Sequence, residues 1–353
     1  MSDVSLEGAK ALVVGGAGFV GSNLVRALLE RGVGRVEIVD NLLSADRSNI
    51  PQDERVVFIE GSVADDGVLD RISPDAALCW HLSCYHGNQS SIADPLADHA
   101  NNTLTSLKLY ERLKDFGSLR KVVYAAAGCA VAEKTYGEAA ATAEDAPVSL
   151  FQDSPYSISK LVGEMYGNYY FAQHGLPFVK ARFQNVYGPG ELLGAGEWRG
   201  TVHTVWRNVT PVFIFKALHG EALPLDNGGE TSRDFIFVDD IVEGLIACAL
   251  RGAPGEAYNL ATGREVTIRE LADRINAAAG NTTPHDLKPA RCWDRSGRRF
   301  GDPAKSRETI GFEARVSHED GVRRTVEWTR ENLDRIKSCM ARHADKVDLS
   351  DYL

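Results

Sequence analysis

Residues 10–21 of this chain read KALVVGGAGFVG, a short apolar strand followed at once by a glycine-rich turn. Gly15, Gly18 and Gly21 recur at a three-residue spacing, and residues 19–31 continue with the periodicity of a helix. Glycines at such a junction let backbone N–H groups approach a pyrophosphate at the positive N-terminus of the helix. A tight turn that packs its helix closely on the strand needs the same glycines. A second feature is therefore needed to distinguish a dinucleotide-binding turn from a purely structural one.

That second feature is a carboxylate at the end of the next predicted strand, residues 35–40. Asp40 lies nineteen positions after Gly21. A carboxylate there hydrogen-bonds the adenosine ribose 2′-OH and repels a 2′-phosphate, so the pair of features predicts NAD as cofactor rather than NADP. Two alternatives stay open: Asp40 could only cap a turn, and Arg47 could reach a 2′-phosphate.

Strands and helices alternate through the first half of the chain. This alternation predicts an α/β fold, a Rossmann-type doubly wound parallel sheet. The stretches concerned are strands at residues 56–60, 76–81, 121–126 and 178–183 and helices at 102–116 and 157–174.

Beyond Asn185 the alternation loosens, and we expect a smaller, interleaved C-terminal substrate lobe. The glycine-rich residues 188–200, which include Glu191, Glu197, Trp198 and Arg199, are expected to shape its pocket. Later elements are strands at 234–238 and 257–260 and helices at 208–219, 240–251 and 267–280. The expected division is a Rossmann domain of residues 1–184 plus about 234–262, a substrate lobe of about 185–233 plus 263–332, and a charged, frayed tail of 333–353.

Composition limits the partners and the compartment. The 353 residues are 44% hydrophobic and 25% charged, and the formal charge of −10 argues against nucleic-acid or anionic-membrane partners. We expect no signal peptide and no membrane span, because no apolar run approaches the roughly 18 residues that a span needs. The six cysteines are scattered, which predicts no metal site and no disulfide framework. A cytoplasmic location follows as the expectation.

A tyrosine and a lysine at helical spacing are the candidate catalytic pair. Residues 154–160 read SPYSISK and place Tyr156 and Lys160 four residues apart on one helix face. A tyrosine base needs a pKa below its usual value of about 10, and a nearby ammonium or a positive nicotinamide favours the phenolate. Lys160 can also hydrogen-bond the nicotinamide ribose. The pattern recurs by chance on exposed helices, but after a dinucleotide fingerprint the catalytic interpretation is favoured.

Several motifs in the expected order extend this interpretation over nearly the whole chain. They are GGAGFVG, VDN at 39–41, HL at 81–82, DPLADHANNT at 94–103, SPYSISK, ARFQNVYGPG at 181–190 and RDFIFVDD at 233–240. Together they resemble the NAD-dependent epimerase/dehydratase family of nucleotide-sugar enzymes, which are extended short-chain dehydrogenases/reductases such as the UDP-glucose 4-epimerases.

The resemblance implies which residues bind the two ligands. Ser62 departs from the family, which usually has an aspartate there. The implied cofactor contacts are Gly15, Gly18, Phe19, Val20, Gly21, Asp40, Asn41, Ser62, Val63, Leu82, Ser83, Cys84, Asn102, Tyr156 and Lys160. The implied contacts to a nucleotide-diphosphate sugar are Ala127, Asn185, Asn208, Val209, Arg233 and Arg291.

Two positions depart from the family in ways that bear on the reaction. Ala127 stands where a serine or threonine usually bonds the reacting sugar hydroxyl, so Tyr156 would contact the sugar O4 directly or through water. Cys129 stands where the 4,6-dehydratases carry a glutamate and the 3,5-epimerases a cysteine. The missing glutamate argues against dehydration. A thiol could remove an acidic C–H beside a transient ketone, or Cys129 could be a small buried apolar residue.

The function that these features favour is inversion of C4 through a transient 4-ketone, with Tyr156 as the acid/base. Epimerisation at C3 or C5 through Cys129 is the alternative, and dehydration or decarboxylation is less favoured. A sugar-nucleotide-binding protein with little turnover is the non-enzymatic alternative, which the retained Tyr156 and Lys160 argue against. The resemblance also implies a homodimer, paired through helices 102–116 and 157–174, with Tyr166, Tyr169, Tyr170 and Phe171 as added aromatic surface.

Overall fold

A computed structural model describes residues 4–132, 135–291 and 297–353. The early predicted strands and helices occur close to their expected bounds. The strands are β1 (Lys10–Val14), β2 (Arg35–Asp40), β3 (Val56–Glu60), β4 (Leu78–His81), β5 (Lys121–Ala127), β6 (Phe178–Phe183), β7 (Asn185–Tyr187), β8 (Pro224–Asp226), β9 (Ser232–Arg233), β10 (Phe235–Phe237), β11 (Ala257–Leu260), β12 (Val266–Thr267) and β13 (Asp286–Lys288).

The helices alternate with these strands. The α-helices are α1 (Phe19–Glu30), α2 (Asp66–Leu69), α3 (Asn88–Ala93), α4 (Pro95–Asp98), α5 (Thr105–Leu113), α6 (Gly128–Val131), α7 (Pro155–His174), α8 (Val209–Leu218), α9 (Val238–Arg251), α10 (Ile268–Ala279), α11 (Ala304–Ile310), α12 (His318–Glu331) and α13 (Leu333–Ala341). A π-helical turn, His99–Leu104, leads into α5, and short 3₁₀ turns occupy Arg47–Asn49, Val202–Thr204 and Asn227–Gly229.

The main sheet has the order β3-β2-β1-β4-β5-β6-β11, and every pairing in it is parallel. Its central strands are buried on both faces, as β5 is along its whole length. Near-continuous apolar strands of this kind require helices on both sides of the sheet. The strand order therefore confirms the Rossmann-type doubly wound fold.

The second lobe is built from short two-stranded sheets and helices. β7 pairs with β10, β9 with β12, and β8 with β13, and none of these joins the main sheet. Its core contains Phe213, Leu225, Phe237 and Leu271, all buried. The chain returns from this lobe to add β11 to the edge of the main sheet, so the two parts are interleaved in sequence.

The prediction of a frayed C-terminal tail was wrong. Residues 333–341 form α13, which buries Ile336, Cys339 and Met340 against the second lobe. Glycine at position 194 allows this contact, because a Cβ there would lie 2.7 Å from the Cα of Met340. The φ of 68° at this position also favours glycine. The charged residues that suggested fraying lie on the solvent side or form polar contacts, and the apolar residues at helical spacing decide the structure.

The expectations about membrane-spanning helices and about the cysteines can be compared with the described residues. Among residues 4–132, 135–291 and 297–353, no helix has the length and apolar character that crossing a bilayer requires. Five cysteines in this part of the chain are free thiols, while Cys292 lies outside the described residues.

The docking of α13 leads to a stability prediction. Met340 is fully buried, so Met340→Ala should lower the free energy of unfolding by about 2–5 kcal/mol, the usual cost of truncating a core methionine. Chemical denaturation followed by circular dichroism measures this change. Ser338→Ala, at an exposed position of the same helix, is the matched control and should shift the free energy by less than about 0.5 kcal/mol. Equal small effects of both variants would contradict the docked helix.

Candidate functional site

A cavity of about 600 Å³ opens at the carboxyl edge of the main sheet, between the sheet and the second lobe. Ligands of open α/β sheets bind at this edge, where the strand order reverses. The strands β1, β2, β4 and β5 end at the cavity, and the opposite wall comes from residues around β7 and α8. Of the catalytic, cofactor and substrate contacts expected from the family resemblance, only Asn102 is absent from its lining.

The glycine-rich turn leaves room that only glycines can leave. A Cβ at Gly15 would lie 2.5 Å from the backbone nitrogen of Ser83, and one at Gly21 would lie 2.1 Å from the carbonyl oxygen of Gly15. Gly18 caps α1 without a side-chain hydrogen bond. The first backbone N–H groups of α1 therefore face the cavity with no capping side chain over them, which suits a pyrophosphate. The residues present fit a dinucleotide.

Asp40 lines the cavity at the end of β2 and also holds the turn. Its carboxylate accepts hydrogen bonds from the backbone N–H of Ala17, at 3.0 Å, and of Leu42, at 2.9 Å. Burial raises the pKa of Asp40. The turn-capping role is thus present in the structure, alongside a position that suits the ribose contact. Arg47, the candidate for a 2′-phosphate, forms an ion pair with Glu60 and stacks on Phe58.

Tyr156 and Lys160 lie in the first turns of α7 and both line the cavity. Ser154 caps this helix, because its hydroxyl accepts a hydrogen bond from the backbone N–H of Ser157 at 3.3 Å. Lys160 is buried, and its Nζ donates to the carbonyl of Ala125 at 2.9 Å. The same Nζ lies 5.9 Å from the centroid of the Tyr156 ring. The side chains of Tyr156 and Lys160 therefore lie next to each other on the cavity wall.

The expected lowering of the tyrosine pKa does not come from Lys160. Burial, followed by the Cys84 and Cys129 thiols, raises the pKa of Tyr156 well above its ordinary value. The ammonium of Lys160 is hydrogen-bonded to the carbonyl of Ala125, and with this charge in place the net shift of the Tyr156 pKa is still upward. The lowering has to be supplied by a positive charge that enters with a ligand.

The departures at residues 127 and 129 face the same cavity. Ala127 ends β5 and is buried, so it brings no hydroxyl to the place of the usual serine or threonine. Cys129 is half-buried in α6 and packs in one apolar cluster with Tyr156. At Gly128 an added Cβ would meet the side chain of Gln184 at 2.3 Å, so this glutamine closely fills the space beside the strand end.

A polar chain that the sequence analysis missed runs beside Tyr156. The His86 ring lies 6.2 Å from the Tyr156 ring, centroid to centroid, and its Nε2 is 3.0 Å from the Oδ1 of Asn208. The side-chain amide of Asn208 donates to Glu191 in turn. His86 also hydrogen-bonds Cys84.

This polar chain forms a thiol–imidazole pair with shifted pKa values. Burial opposes ionisation of Cys84, yet the charge of Lys160 and the hydrogen bond from His86 lower its pKa. Burial likewise opposes the imidazolium, but Cys84, Asn208 and Glu191 raise the pKa of His86. No sequence motif links residues 84–86 to residues 191 and 208, because only the fold brings the two lobes together.

The other residues expected to contact the cofactor or the substrate lie on the cavity wall or, in the case of Asn102, behind it. Asn102 lies under the loop after β4, and its Oδ1 accepts from the backbone N–H of Tyr85 at 2.7 Å. Arg233 is buried and donates to the carbonyl of Gly297 at 2.7 Å. Arg291 pairs with Asp226 at 2.5 Å. The remaining expected residues on the cavity wall are Phe19, Val20, Asn41, Ser62, Val63, Leu82, Ser83, Asn185 and Val209.

The residues 188–200 divide between two roles. Glu191 lines the cavity, as expected of this segment. Arg199 is buried and donates to the carbonyl of His86 at 3.1 Å, so it supports the cavity from behind. Glu197 and Trp198 are not part of the cavity wall. The Trp198 ring lies 6.0 Å from that of His343, in the C-terminal segment.

A dinucleotide turn, an acid at the end of β2 and a Tyr–Lys pair around one cavity define an enzyme of the extended short-chain dehydrogenase/reductase class. Residues 11–261 match the sequence model of the NAD dependent epimerase/dehydratase family, and this chain belongs to that family. Its cofactor is NAD.

Individual relatives agree with this family. The UDP-glucose 4-epimerase of Mycolicibacterium smegmatis is 31% identical over 329 residues, which cover 91% of this chain and 98% of the relative. The crystal structure of the Bordetella bronchiseptica enzyme WbmF with NAD+ and UDP is 56% identical, with a TM-score of 0.86 over 96% of this chain and 97% of that one. The UDP-glucose 4-epimerase of Thermotoga maritima with UDP-glucose is 31% identical, with a TM-score of 0.82 over 92% of this chain and 99% of that one.

The raised pKa of Tyr156 leads to a prediction about its titration. Without cofactor, the phenol should ionise only above pH 10. Saturation with NAD+ should move its ionisation to lower pH, because the positive nicotinamide favours the phenolate. The phenolate absorbance of the wild type minus that of Tyr156→Phe isolates this residue from the other ten tyrosines. An unchanged difference titration after NAD+ addition would contradict the prediction.

Proposed function

We propose that this chain is an NAD-dependent nucleotide-sugar epimerase that inverts C4 of a UDP-sugar through a transient 4-ketone. The observation that carries the proposal is the meeting of Tyr156 and Lys160 on the wall of the cavity that also contains the dinucleotide turn. The similarity to two UDP-glucose 4-epimerases and to a UDP-bound enzyme supports both the reaction and the nucleobase.

Tyr156 carries the proton in this mechanism. It takes the proton of the sugar O4 while C4 is oxidised, and returns it to the same oxygen when the rotated ketone is reduced on its other face. Bound NAD+ supplies the hydride acceptor and afterwards the hydride donor. Lys160 holds the cofactor ribose and keeps a positive charge near the phenol. With no hydroxyl at Ala127, the phenol contacts O4 directly or through one water.

The residue at position 129 argues against a dehydratase. Dehydration needs an acid that protonates a leaving hydroxyl, and the thiol of Cys129 replaces the glutamate that supplies it in the 4,6-dehydratases. Decarboxylation remains a less favoured alternative for the same cavity. A binding protein without turnover would need neither a buried lysine beside the tyrosine nor the polar chain at His86.

Epimerisation at C3 or C5 is the second candidate, and a specific observation favours it. Cys129 lines the cavity and packs beside Tyr156, on the wall that a ketone at C4 would face. A thiolate there could remove the acidic proton from a neighbouring carbon, and that carbon is inverted when the resulting enolate takes a proton on its opposite face. His86 adds a second titratable group at the same end of the cavity.

The two parts of the chain divide the ligands in this proposal. Residues 1–184 with about 234–262 bind NAD, and residues of about 185–233 with 263–332 bind the nucleotide sugar. On the second part, Asn185, Val209 and Arg233 line the cavity, together with Asn208 and Arg291. We also propose that the enzyme works in the cytoplasm.

Replacement of the catalytic tyrosine tests the mechanism. Tyr156→Phe removes one hydroxyl and should preserve folding and NAD binding. Hydride transfer in a single turnover with a UDP-sugar should fall by about 10²–10⁴-fold, the usual loss when a general acid/base is removed. Tyr166→Phe, in the same helix but outside the cavity, is the matched control and should react at the wild-type rate. Full activity of Tyr156→Phe would overturn the mechanism.

The variant Cys129→Ala separates the two epimerase candidates in the same assay. C4 inversion, followed by NMR of the sugar product, should survive the change. Deuterium incorporation from heavy water at C3 or C5 should be absent in the wild type if C4 is the site of inversion. Incorporation in the wild type that vanishes in Cys129→Ala would favour the second candidate.

We further propose that the enzyme is a homodimer paired through α5 and α7. The solvent face of α7 exposes large apolar side chains, with Ile158 at 51%, Met165 at 58% and Tyr169 at 53% exposure. Tyr170, which was also expected on this surface, is buried in the core under α7. Such a patch is unusual on a monomer and matches a second copy of the same helices.

A charge placed on this face should separate the two copies. Met165→Glu should convert the dimer to a monomer, because pairing would bury an unpaired carboxylate. Leu287→Glu, at a 62% exposed position of β13, is the matched control and should remain a dimer. Light scattering at micromolar concentration measures both. A monomeric wild type would refute the pairing.

A further inference from the structure

Arg207 reaches from the second lobe to the Rossmann domain across the cavity. It precedes α8, and its Nε donates to the carbonyl of Thr204 at 3.2 Å. Its Nη1 donates to the carbonyl of Ser44 at 2.7 Å, in the loop that follows β2. The remaining nitrogen, Nη2, is buried and has no hydrogen-bond partner among the described residues, although the side chain lines the cavity.

Two further polar atoms on the cavity wall are buried without a hydrogen-bond partner within the described parts of the chain. They are the Oγ of Ser44 and the Oε2 of Glu191. Buried polar groups are nearly always paired, because leaving one unpaired costs about 1–3 kcal/mol. Of these three atoms, Arg207 Nη2 and Ser44 Oγ are donors, so an acceptor on a polar ligand in the cavity would complete both.

The charges at this end of the cavity favour an anion. Burial first, and then the neighbouring guanidinium of Arg199, lower the pKa of Arg207 to about 9. Burial raises the pKa of Glu191, the carboxylate that faces Arg207. The guanidinium groups of Arg207 and Arg199 are close enough to disfavour each other's charge, and an added negative charge would stabilise both.

The position of these atoms indicates which anion. The segment that leads to Glu191 is bound to the first turns of α1, because Asn23 Nδ2 donates to the carbonyl of Pro189 at 3.0 Å. Ser44 follows Asp40 and Asn41, the residues expected at the adenosine ribose. The unpaired atoms therefore lie between the N-terminus of α1 and the ribose loop, which is where a dinucleotide places its pyrophosphate.

We propose that Arg207 Nη2 and Ser44 Oγ donate hydrogen bonds to a phosphate of the bound dinucleotide. The second lobe then binds the cofactor as well as the substrate, and cofactor binding ties the two lobes together. Neither residue belongs to the glycine-rich turn or to the Tyr–Lys pair. The proposal concerns binding alone and does not depend on which carbon of the sugar is inverted.

Affinities for the nucleotides test the proposal without any turnover. The quench of tryptophan fluorescence, with Trp206 next to Arg207, gives dissociation constants for NAD+, ADP-ribose, adenosine and UDP. Arg207→Met should weaken NAD+ and ADP-ribose by about 10–100-fold, since hydrogen bonds to charged groups are the strong ones. Adenosine, which has no phosphate, should bind within about twofold of the wild type if only a phosphate contact is lost.

Two milder variants and one control accompany this change. Arg207→Lys keeps the charge but loses the fork geometry, and should weaken NAD+ by about 3–10-fold. Ser44→Ala removes one neutral donor and should cost about 2–10-fold. Arg335→Met is the matched control. Arg335 also contacts the loop after β2, through Ser48 and Asn49, so this variant loosens the loop without touching the phosphate and should leave NAD+ affinity within about threefold.

Each contrary result overturns the proposal. A loss of UDP affinity with NAD+ unchanged would assign Arg207 to the substrate diphosphate. An equal loss of affinity for adenosine and NAD+ would show that Arg207 acts only by ordering the loop after β2. A loss of NAD+ affinity in Arg335→Met as large as that in Arg207→Met would show the same. Thermal melting of each variant detects unfolding, and Arg207→Lys and Ser44→Ala keep the test decisive if Arg207→Met fails to fold.

Discussion

The close approach of the β1–α1 turn to the end of β4 is the constraint on which the site depends. The backbone N–H of Gly15 donates to Val39 at 2.7 Å, and that of Leu82 donates to Val14 at 2.8 Å, so the turn is held between β2 and β4. No side chain fits at Gly15 against Ser83. Because the strand order reverses at β1, the sheet edge opens at this point, and the cavity follows from the topology.

The second wall of the cavity supplies a charge that the glycine-rich turn lacks. The glycine-rich turn offers backbone N–H groups only, whereas Arg207 brings a guanidinium from the other lobe. Arg199 lies behind the cavity, where it holds the backbone of His86. The proposed contact would let a chain with a net charge of −10 bind anionic nucleotides, because the field inside a cavity is set by its nearest charges and not by the net charge.

The parts of this molecule that could be predicted from sequence are those with local causes. Strand-helix periodicity, the glycine turn and the spacing of Tyr156 and Lys160 all act within a few residues, and the structure contains each of them. The chain of His86, Asn208 and Glu191 could not be predicted, because its members come from separate lobes. The docking of α13 was missed for a related reason. Its apolar stripe is short, and charged neighbours obscured the residues that reach the core.

The raised pKa of Tyr156 bears on when the phenol can accept a proton and when it can donate one. Burial and the neighbouring thiols keep the phenol protonated in the chain alone, so its proton affinity falls only while a positive charge lies beside it. A nicotinamide ring is positive when oxidised and neutral when reduced. In the proposed mechanism, Tyr156 is therefore a base towards the sugar hydroxyl before the hydride leaves carbon, and an acid towards the same oxygen afterwards. A phenol with a permanently lowered pKa would lose this second role, so in this mechanism the low polarity that opposes ionisation of the free phenol is what makes the proton return.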